Sequence, residues 1–151
     1  MGSVVVAMEV VQCACAHRDE DDVDFSVVDS HGTPYEYGRV SFESFSSLAI
    51  KDSYKSLKPD LDIKKIKVNL RRLDTILAAR KPPVDHIDIL SVDVEGWELE
   101  VIADLDLQKY KPRVMVIENL FSDEKYRQNI TGKGYIFWKF LAPNDIYVTR
   151  D

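Results

Sequence analysis

Two acidic side chains, Asp93 and Glu95, follow an apolar run in the middle of the chain. The run Ile87–Val92 is rich in β-branched and aliphatic residues, which favours a strand buried on both faces of a parallel sheet. Apolar residues then recur at helical spacing, which predicts a helix over Gly96–Leu105. Open α/β sheets bind ligands where a strand passes into a helix at the carboxyl edge, so both acids are candidates for chemistry.

A carboxylate at such an edge can orient a substrate hydroxyl or accept its proton, so Asp93 and Glu95 are candidate catalytic residues. Their reference pKa of about 4 makes them weak bases at neutral pH unless burial raises it. The alternative is structural: Asp93 caps the following helix and Glu95 lies in its first turn, where the helix dipole favours negative charge.

Glu118 and Asn119 end the next predicted strand, Arg113–Glu118. Neighbouring parallel strands end at the same edge of a sheet, so these two residues are expected to face the same ligand as Asp93 and Glu95. They are candidates for substrate binding. The alternative interpretation is a polar end to a buried strand.

Cysteine and histidine give little sign of a metal site. His17, His31 and His86 are far apart in loop-like sequence, with no metal-ligand spacing around them, so no metal site is assigned. The two cysteines, Cys13 and Cys15, are too close together in a predicted strand to form a disulfide with each other. Free thiols fit a reducing compartment, and the cytoplasm is the expected location.

Strand and helix patterns alternate over much of the chain and indicate an α/β fold. The N-terminal third holds predicted strands at Val4–Ala16 and Val23–Val28, and 31–65 is a variable loop region of the kind that often forms a lid or substrate loop. Further predicted elements are the Ile66–Leu70 strand, a helix around Leu73–Leu77, a helix capped by Ser122 that ends near Gly132, and strands at Tyr135–Phe140 and Ile146–Val148. The last two strands predict a C-terminal antiparallel hairpin.

Three stretches in order and spacing, Val68–Asp74, Ile89–Ile102 and Val114–Glu118, resemble the FkbM family of S-adenosylmethionine-dependent methyltransferases. The resemblance covers about the C-terminal two thirds of the chain, from Val68 onward. It implies a Rossmann-like, class I methyltransferase-like fold with a mostly parallel sheet, and O-methylation of a small molecule or sugar. It also implies S-adenosylmethionine as cofactor and roles at the acidic strand end for Asp93 and Glu95.

The chain departs from this family at its N-terminal end. The family's glycine-rich cofactor turn has no equivalent, since only Gly2 precedes Gly32, and an N-terminally truncated fold is therefore expected. By resemblance, Val4–Glu9 corresponds to the strand whose final acid holds the cofactor ribose, which makes Glu9 the candidate cofactor-binding residue. Ser91 and Asp104 stand where the family often has lysine and glycine.

The missing turn leaves a second hypothesis open, a non-catalytic or incomplete methyltransferase-fold module that acts through a protein partner. A partner subunit or a second copy would then cover the exposed edge of the sheet.

Length and charge narrow the remaining possibilities. The 151 residues suit a single domain over 1–151, and 45% hydrophobic content is ample for a core. A net charge of −6 argues against a nucleic-acid-binding surface and favours a small-molecule or protein partner. The apolar stretch Val4–Val11 is far shorter than the about 20 residues that span a bilayer, so no membrane segment is expected.

Overall fold

The computed structural model describes residues 8–29, 36–37, 40–41, 45–56 and 62–150. The start of the predicted Val4–Ala16 strand and His31 lie outside these ranges. The strands are β1 Ala14–Cys15, β2 Glu20–Asp29, β3 Glu36–Tyr37, β4 Val40–Ser41, β5 Asp62–Arg71, β6 Ile89–Val92, β7 Val114–Glu118, β8 Tyr135–Leu141 and β9 Asn144–Thr149. The helices are α1 Asp52–Lys55, α2 Leu73–Ala78, α3 Glu98–Ala103, α4 Leu107–Tyr110 and α5 Glu124–Gly132.

The C-terminal half forms a four-stranded sheet in the order β6-β7-β9-β8. β6 and β7 are parallel, and β9 lies antiparallel to both β7 and β8. One face of this sheet carries the main core, in which Met115, Ile117 and Tyr147 are fully buried against Ile102 and Ile130. The predicted C-terminal hairpin is therefore confirmed.

The opposite face of the sheet is more open than the sequence predicts. β6 lies at the sheet edge and alternates between exposed and buried residues, and Ile89 is 66% exposed. The prediction of a strand buried on both faces is thus wrong. β6 is an edge strand with one covered face, because nothing among the described residues buries Ile89.

A second sheet, in the order β1-β5-β2, contains the two longest strands of the described chain. β5 pairs with β2 in antiparallel fashion and with β1 in parallel fashion, while β3 and β4 form a separate antiparallel pair. The α/β class holds, but the expected mostly parallel sheet does not. The antiparallel pairing of β2 with β5, and of β9 with β7 and β8, makes both larger sheets mixed.

Residues 45–56 form a packed segment within the predicted 31–65 loop region. Phe45, Ile50 and Tyr54 are buried with Val28 in a second hydrophobic cluster, and Leu120 packs against it. Ser26 and Ser47 exchange backbone hydrogen bonds of 2.9 Å, which tie the segment to β2. Because β5 begins at Asp62, the C-terminal end of the predicted loop is a strand.

The helices are short, and their starts differ slightly from prediction. Asp123, not Ser122, caps α5, since its side chain accepts a hydrogen bond from Lys125 N while Ser122 has a φ of +51°. The helix after the acidic motif begins at Glu98 instead of Gly96. No helix in the described ranges has the length and apolar character needed to cross a bilayer.

A buried polar network ties the end of β7 to the C-terminal hairpin. Asp145 on β9 is fully buried and accepts hydrogen bonds from Asn119, Arg127 and Tyr147. The Arg127 guanidinium also forms an ion pair with this carboxylate at 3.1 Å. The network therefore fixes β7, α5 and β9 relative to one another.

Candidate active site

Strand register brings Asp93 and Glu118 to the same place. Val92 on β6 pairs with Ile117 on β7, so the next residue of each parallel strand, Asp93 and Glu118, lies at the same carboxyl edge. The backbone then turns through two left-handed residues, Glu95 at φ +56° and Gly96 at φ +90°. A positive φ is uncommon for a residue with a side chain, and it turns the chain back toward the sheet edge at Glu95.

Glu98 holds this turn in place. Its buried carboxylate accepts hydrogen bonds from Val94 N at 3.0 Å, from Gly96 N at 2.9 Å and from the Tyr126 hydroxyl at 2.7 Å. A first-turn glutamate that reaches back to preceding backbone N–H groups satisfies donors that would otherwise be orphaned at the helix start. Glu98 thus fixes the backbone that carries Asp93 and Glu95.

Three carboxylates converge at the sheet edge. One oxygen from each of Asp93, Glu95 and Glu118 lies within 4.8 Å of the other two. Asp93 is exposed, Glu95 is half-buried and Glu118 is buried. Among the described residues, Glu95 Oε2 and Glu118 Oε2 are the buried side-chain oxygens without a hydrogen-bond partner. We call these three residues the acid cluster.

Burial and mutual repulsion dominate the electrostatics of the acid cluster. Burial raises the pKa of Glu95 to about 9, and the charges of Glu118, Asp93 and Glu98 add to the effect. Burial likewise raises the pKa of Glu118 above its usual range, with Asp93 and Glu98 as further causes, while a hydrogen bond from Tyr54 acts in the opposite direction. With no cation bound, Glu95 and Glu118 therefore tend to hold protons at neutral pH.

Tyr54 of α1 packs over the acid cluster, and we call its side chain the Tyr54 lid. Its ring packs edge-on against Phe45 and Phe121, with centroid distances of 4.9 Å and 5.2 Å. The pKa of Tyr54 is raised by burial and by the charges of Glu118, Glu98 and Glu95, so its hydroxyl stays protonated and can donate a hydrogen bond. A small cavity of about 180 Å³ between this ring and Tyr126 reaches Glu118 and Asn119.

A larger cleft of about 500 Å³ opens on the other side of Asp93 and Glu95. Trp97 is half-buried in its wall, and its indole N–H donates to Ala49 O at 3.1 Å. The other residues that line the cleft are Cys13, Ala14, Cys15, Phe25, Ser46, Ser47, Leu48 and Val94. β1 thus forms one wall of the cleft, and residues 46–48 form another.

The two cysteines of this wall are free, which agrees with the prediction that they form no disulfide. Burial raises the pKa of Cys15 to about 11, with the nearby Cys13 as a further cause. Burial also raises the pKa of Cys13. Both side chains are therefore thiols at neutral pH and are poor nucleophiles.

Two of the predicted binding residues take part in contacts within the protein. Glu9 is exposed, forms an ion pair with Arg80 and lines neither the 500 Å³ cleft nor the 180 Å³ cavity. Asn119 donates to Asp123 O and Asp145 Oδ2 and accepts from Asp123 N, so its amide holds the turn before α5. A role in ligand binding remains a prediction for both.

Sequence reasoning identified Asp93, Glu95 and Glu118 but missed the residues that support them. Glu98 was visible as an acid in the first turn of a predicted helix, and the capping pattern could have singled it out. Tyr54 gave no such signal, because its position over the acid cluster depends on contacts between segments that are distant in sequence.

A comparison with known protein families matches residues 4–137 to the methyltransferase FkbM domain. The chain belongs to the FkbM methyltransferase family. The match begins far upstream of Val68, where the resemblance was first recognisable, and it ends within β8. No curated protein and no solved structure matches the chain. FkbM membership indicates methyltransferase activity, and methyltransferases generally use S-adenosylmethionine.

Proposed function

We propose that this FkbM-family chain is an S-adenosylmethionine-dependent methyltransferase that acts on a hydroxyl oxygen of a small molecule or sugar. The observation that carries the proposal is the acid cluster, whose three carboxylate oxygens lie within 4.8 Å of one another beside the 500 Å³ cleft. A hydroxyl acceptor must lose its proton during methylation, and carboxylates at the cleft edge can take it.

The cleft suits the cofactor in charge and polarity. S-adenosylmethionine carries a sulfonium and an ammonium group, and its ribose hydroxyls donate hydrogen bonds that carboxylates accept. Asp93 provides a carboxylate on one side of the cleft, Glu95 provides a carboxyl group beside it, and Phe25, Leu48 and Trp97 provide apolar or aromatic surface. These residues would hold the cofactor. Glu9, the acid assigned to this task by resemblance, lies outside the cleft lining.

Asp93 and Glu95 face the acceptor as well as the cofactor in this proposal. When bound, S-adenosylmethionine supplies a methyl group on a positively charged sulfur. The exposed carboxylate of Asp93 binds the acceptor hydroxyl and accepts its proton. Glu95, which is partly buried, orients the same hydroxyl. Glu118 contacts another part of the acceptor. Glu98 acts as a positioning residue, because it holds the turn through Val94 N and Gly96 N.

The first test is calorimetric titration of the purified chain with S-adenosylmethionine and with its demethylated product. We expect micromolar binding, about −8 kcal/mol, to the wild-type chain. Methyl-labelled cofactor is then incubated with a panel of monosaccharides and hydroxylated aromatic compounds, and products are identified by mass spectrometry. A folded chain that releases no heat with either ligand would contradict the proposal.

The catalytic roles are tested with Asp93→Asn and Glu95→Gln. Each change keeps the shape of the side chain and removes the carboxylate, so we expect at least a hundredfold lower methyl transfer. Asp85→Asn is the matched control, because Asp85 is 98% exposed and lies outside both cavities. Equal activity in all three variants would exclude these roles.

A second candidate function follows from the open face of the four-stranded sheet. Ile89 and Ile136 are exposed, and both belong to a cross-strand row with Val114 and Val148. An apolar row of this kind is suited to contact with another protein surface. The alternative is therefore a non-catalytic methyltransferase-fold module that works through a partner subunit or a second copy. Cofactor binding distinguishes the two functions, because only the enzyme requires it.

A further inference from the structure

The acid cluster lacks a compensating positive charge among the described residues. None of the ion pairs found there involves Asp93, Glu95 or Glu118. Lys51, which lines the 180 Å³ cavity together with Glu118, is paired with Glu100 at 3.0 Å. Burying several carboxylates together costs free energy unless a proton, a basic side chain or a metal ion neutralises them.

An orphaned oxygen of Glu118 points to a missing ligand. The residue is only 5% exposed, yet its Oε2 has no hydrogen-bond partner. Glu95 Oε2 is likewise buried and unpartnered. Buried polar atoms nearly always have a hydrogen-bond partner in native proteins, and those without a protein partner commonly bind a water molecule or an ion. Two unpartnered oxygens in the same cluster indicate a ligand that both can bind.

We propose that Asp93, Glu95 and Glu118 form a binding site for a divalent cation of the oxygen-preferring class, Mg²⁺, Mn²⁺ or Ca²⁺. An all-carboxylate donor set selects these hard cations over Zn²⁺ or Cu²⁺. Two oxygens that share a cation stand no farther apart than twice the metal–oxygen distance, about 4.6–5.2 Å for Ca²⁺ and about 4.0–4.2 Å for Mg²⁺. Because the oxygens of the acid cluster lie no more than 4.8 Å apart, their spacing falls within the range for Ca²⁺, while Mg²⁺ requires a closer spacing.

The surroundings of the acid cluster favour a bound cation with coordination positions left free for another ligand. Glu118 lies beneath Tyr54 on the buried side, while Asp93 is exposed and lines the 500 Å³ cleft. Coordination positions that the protein leaves free would therefore face the cleft, where an oxygen of a bound small molecule can occupy them. This site does not depend on the proposed methyltransferase activity, because cation binding is a property of the chain by itself.

The test is a titration of the purified, reduced chain with Mn²⁺, in which the electron paramagnetic resonance signal measures the free Mn²⁺. Mg²⁺ and Ca²⁺ are then added to compete for the bound Mn²⁺. Mn²⁺ is chosen over Zn²⁺ because Cys13 and Cys15 line the same cleft and thiolates bind Zn²⁺. We expect one Mn²⁺ per chain. Glu118→Gln and Glu95→Gln should each weaken binding by about tenfold or more, since even indirect metal contacts cost that much.

Asp85→Asn controls for a general loss of negative charge and should bind Mn²⁺ as the wild-type chain does. Circular dichroism spectra and melting temperatures establish that each variant is folded. No Mn²⁺ binding at millimolar concentration by the folded wild-type chain would overturn the proposal, as would equal binding by the wild type and Glu118→Gln.

Titration of S-adenosylmethionine with and without Mg²⁺ separates this inference from the proposed function. Cofactor binding without any Mn²⁺ binding would overturn the cation site alone. Mn²⁺ binding without cofactor binding would overturn the methyltransferase proposal alone.

Discussion

Gly96 is the residue of the candidate active site that tolerates a side chain least. Its φ of +90° lies in the left-handed region, which L-residues with a Cβ rarely adopt. A Cβ at this position would also lie 2.9 Å from Cε2 of the Tyr54 ring. Both constraints follow from the turn that carries the acid cluster under the Tyr54 lid.

We expect Gly96→Ala to lower the free energy of unfolding by about 2–4 kcal/mol, because left-handed strain adds to the clash with Tyr54. Urea denaturation measures the change. Gly134→Ala is the matched control, since Gly134 has a similar φ of +98° but open space where the Cβ would be. We expect this control to cost only the strain, about 1 kcal/mol. Equal losses in the two variants would show that the ring of Tyr54 does not approach Gly96 as described.

The sequence predicted the positions of residues at strand ends well. It predicted poorly the positions of residues that depend on contacts between distant segments. Asp93 and Glu118 were predictable, because parallel strands end together and both residues directly follow an apolar run. Trp97 is a residue of the second kind, because its indole N–H reaches Ala49 O and its ring lines the cleft. No local pattern encodes that contact with residues 45–56.

Among the elements, the segment 45–56 links the second sheet to the acid cluster. Val28 N donates a hydrogen bond to Ser46 Oγ at 3.0 Å, and the backbones of Ser26 and Ser47 are hydrogen-bonded to each other. Phe45 and Tyr54 then carry this contact to the sheet edge. The segment therefore stabilises the site through packing, although its sequence was predicted to be a loop.

We expect Phe45→Ala to destabilise the fold by about 3–5 kcal/mol, because Phe45 is 1% exposed and its removal leaves a cavity beside Tyr54. Phe121→Ala is the comparison, since Phe121 makes a similar edge-on contact with Tyr54 but is 43% exposed. Its loss should cost about 1–2 kcal/mol. Thermal and urea unfolding of both variants measure the two changes, and a larger effect at Phe121 would contradict the packing described.

Periodicity located most of the elements but could not supply their pairing. The helix at Leu73–Ala78 and the strands β7, β8 and β9 lie close to the predicted positions. The long antiparallel pairing of β2 with β5 could not be predicted, because residues more than thirty positions apart meet there and neither strand carries a signal for its partner. The expectation of a mostly parallel sheet came from the apolar run Ile87–Val92 and from family resemblance, and neither indicates the antiparallel pairing of β2 with β5 or of β9 with its neighbours.

For the molecule as a whole, the open face of the four-stranded sheet is the feature with the clearest physical consequence. Ile89 is 66% exposed and Ile136 is 43% exposed in one cross-strand row. Exposed apolar rows beside an edge strand promote association between chains. The sequence analysis expected an exposed sheet edge because the N-terminal glycine-rich turn has no equivalent, and a partner that covers this face stays a prediction.

We expect the wild-type chain to associate with itself as its concentration rises, and Ile89→Lys to shift it toward the monomer. Size-exclusion chromatography with light scattering over a range of concentrations measures both. Met8→Lys is the control, because Met8 is 87% exposed and lies outside the sheet. A wild-type chain that stays monomeric at all concentrations would contradict this expectation.

The position of β9 sets a practical boundary for work on this protein. The match to the FkbM domain ends at residue 137, yet β9 lies between β7 and β8 and carries Asp145, the buried acceptor for Asn119 and Arg127. A fragment trimmed to the matched residues would remove the strand that joins β8 to the sheet and leave the Arg127 guanidinium without its buried partner. Recombinant or fused versions of this domain should therefore extend at least to Thr149.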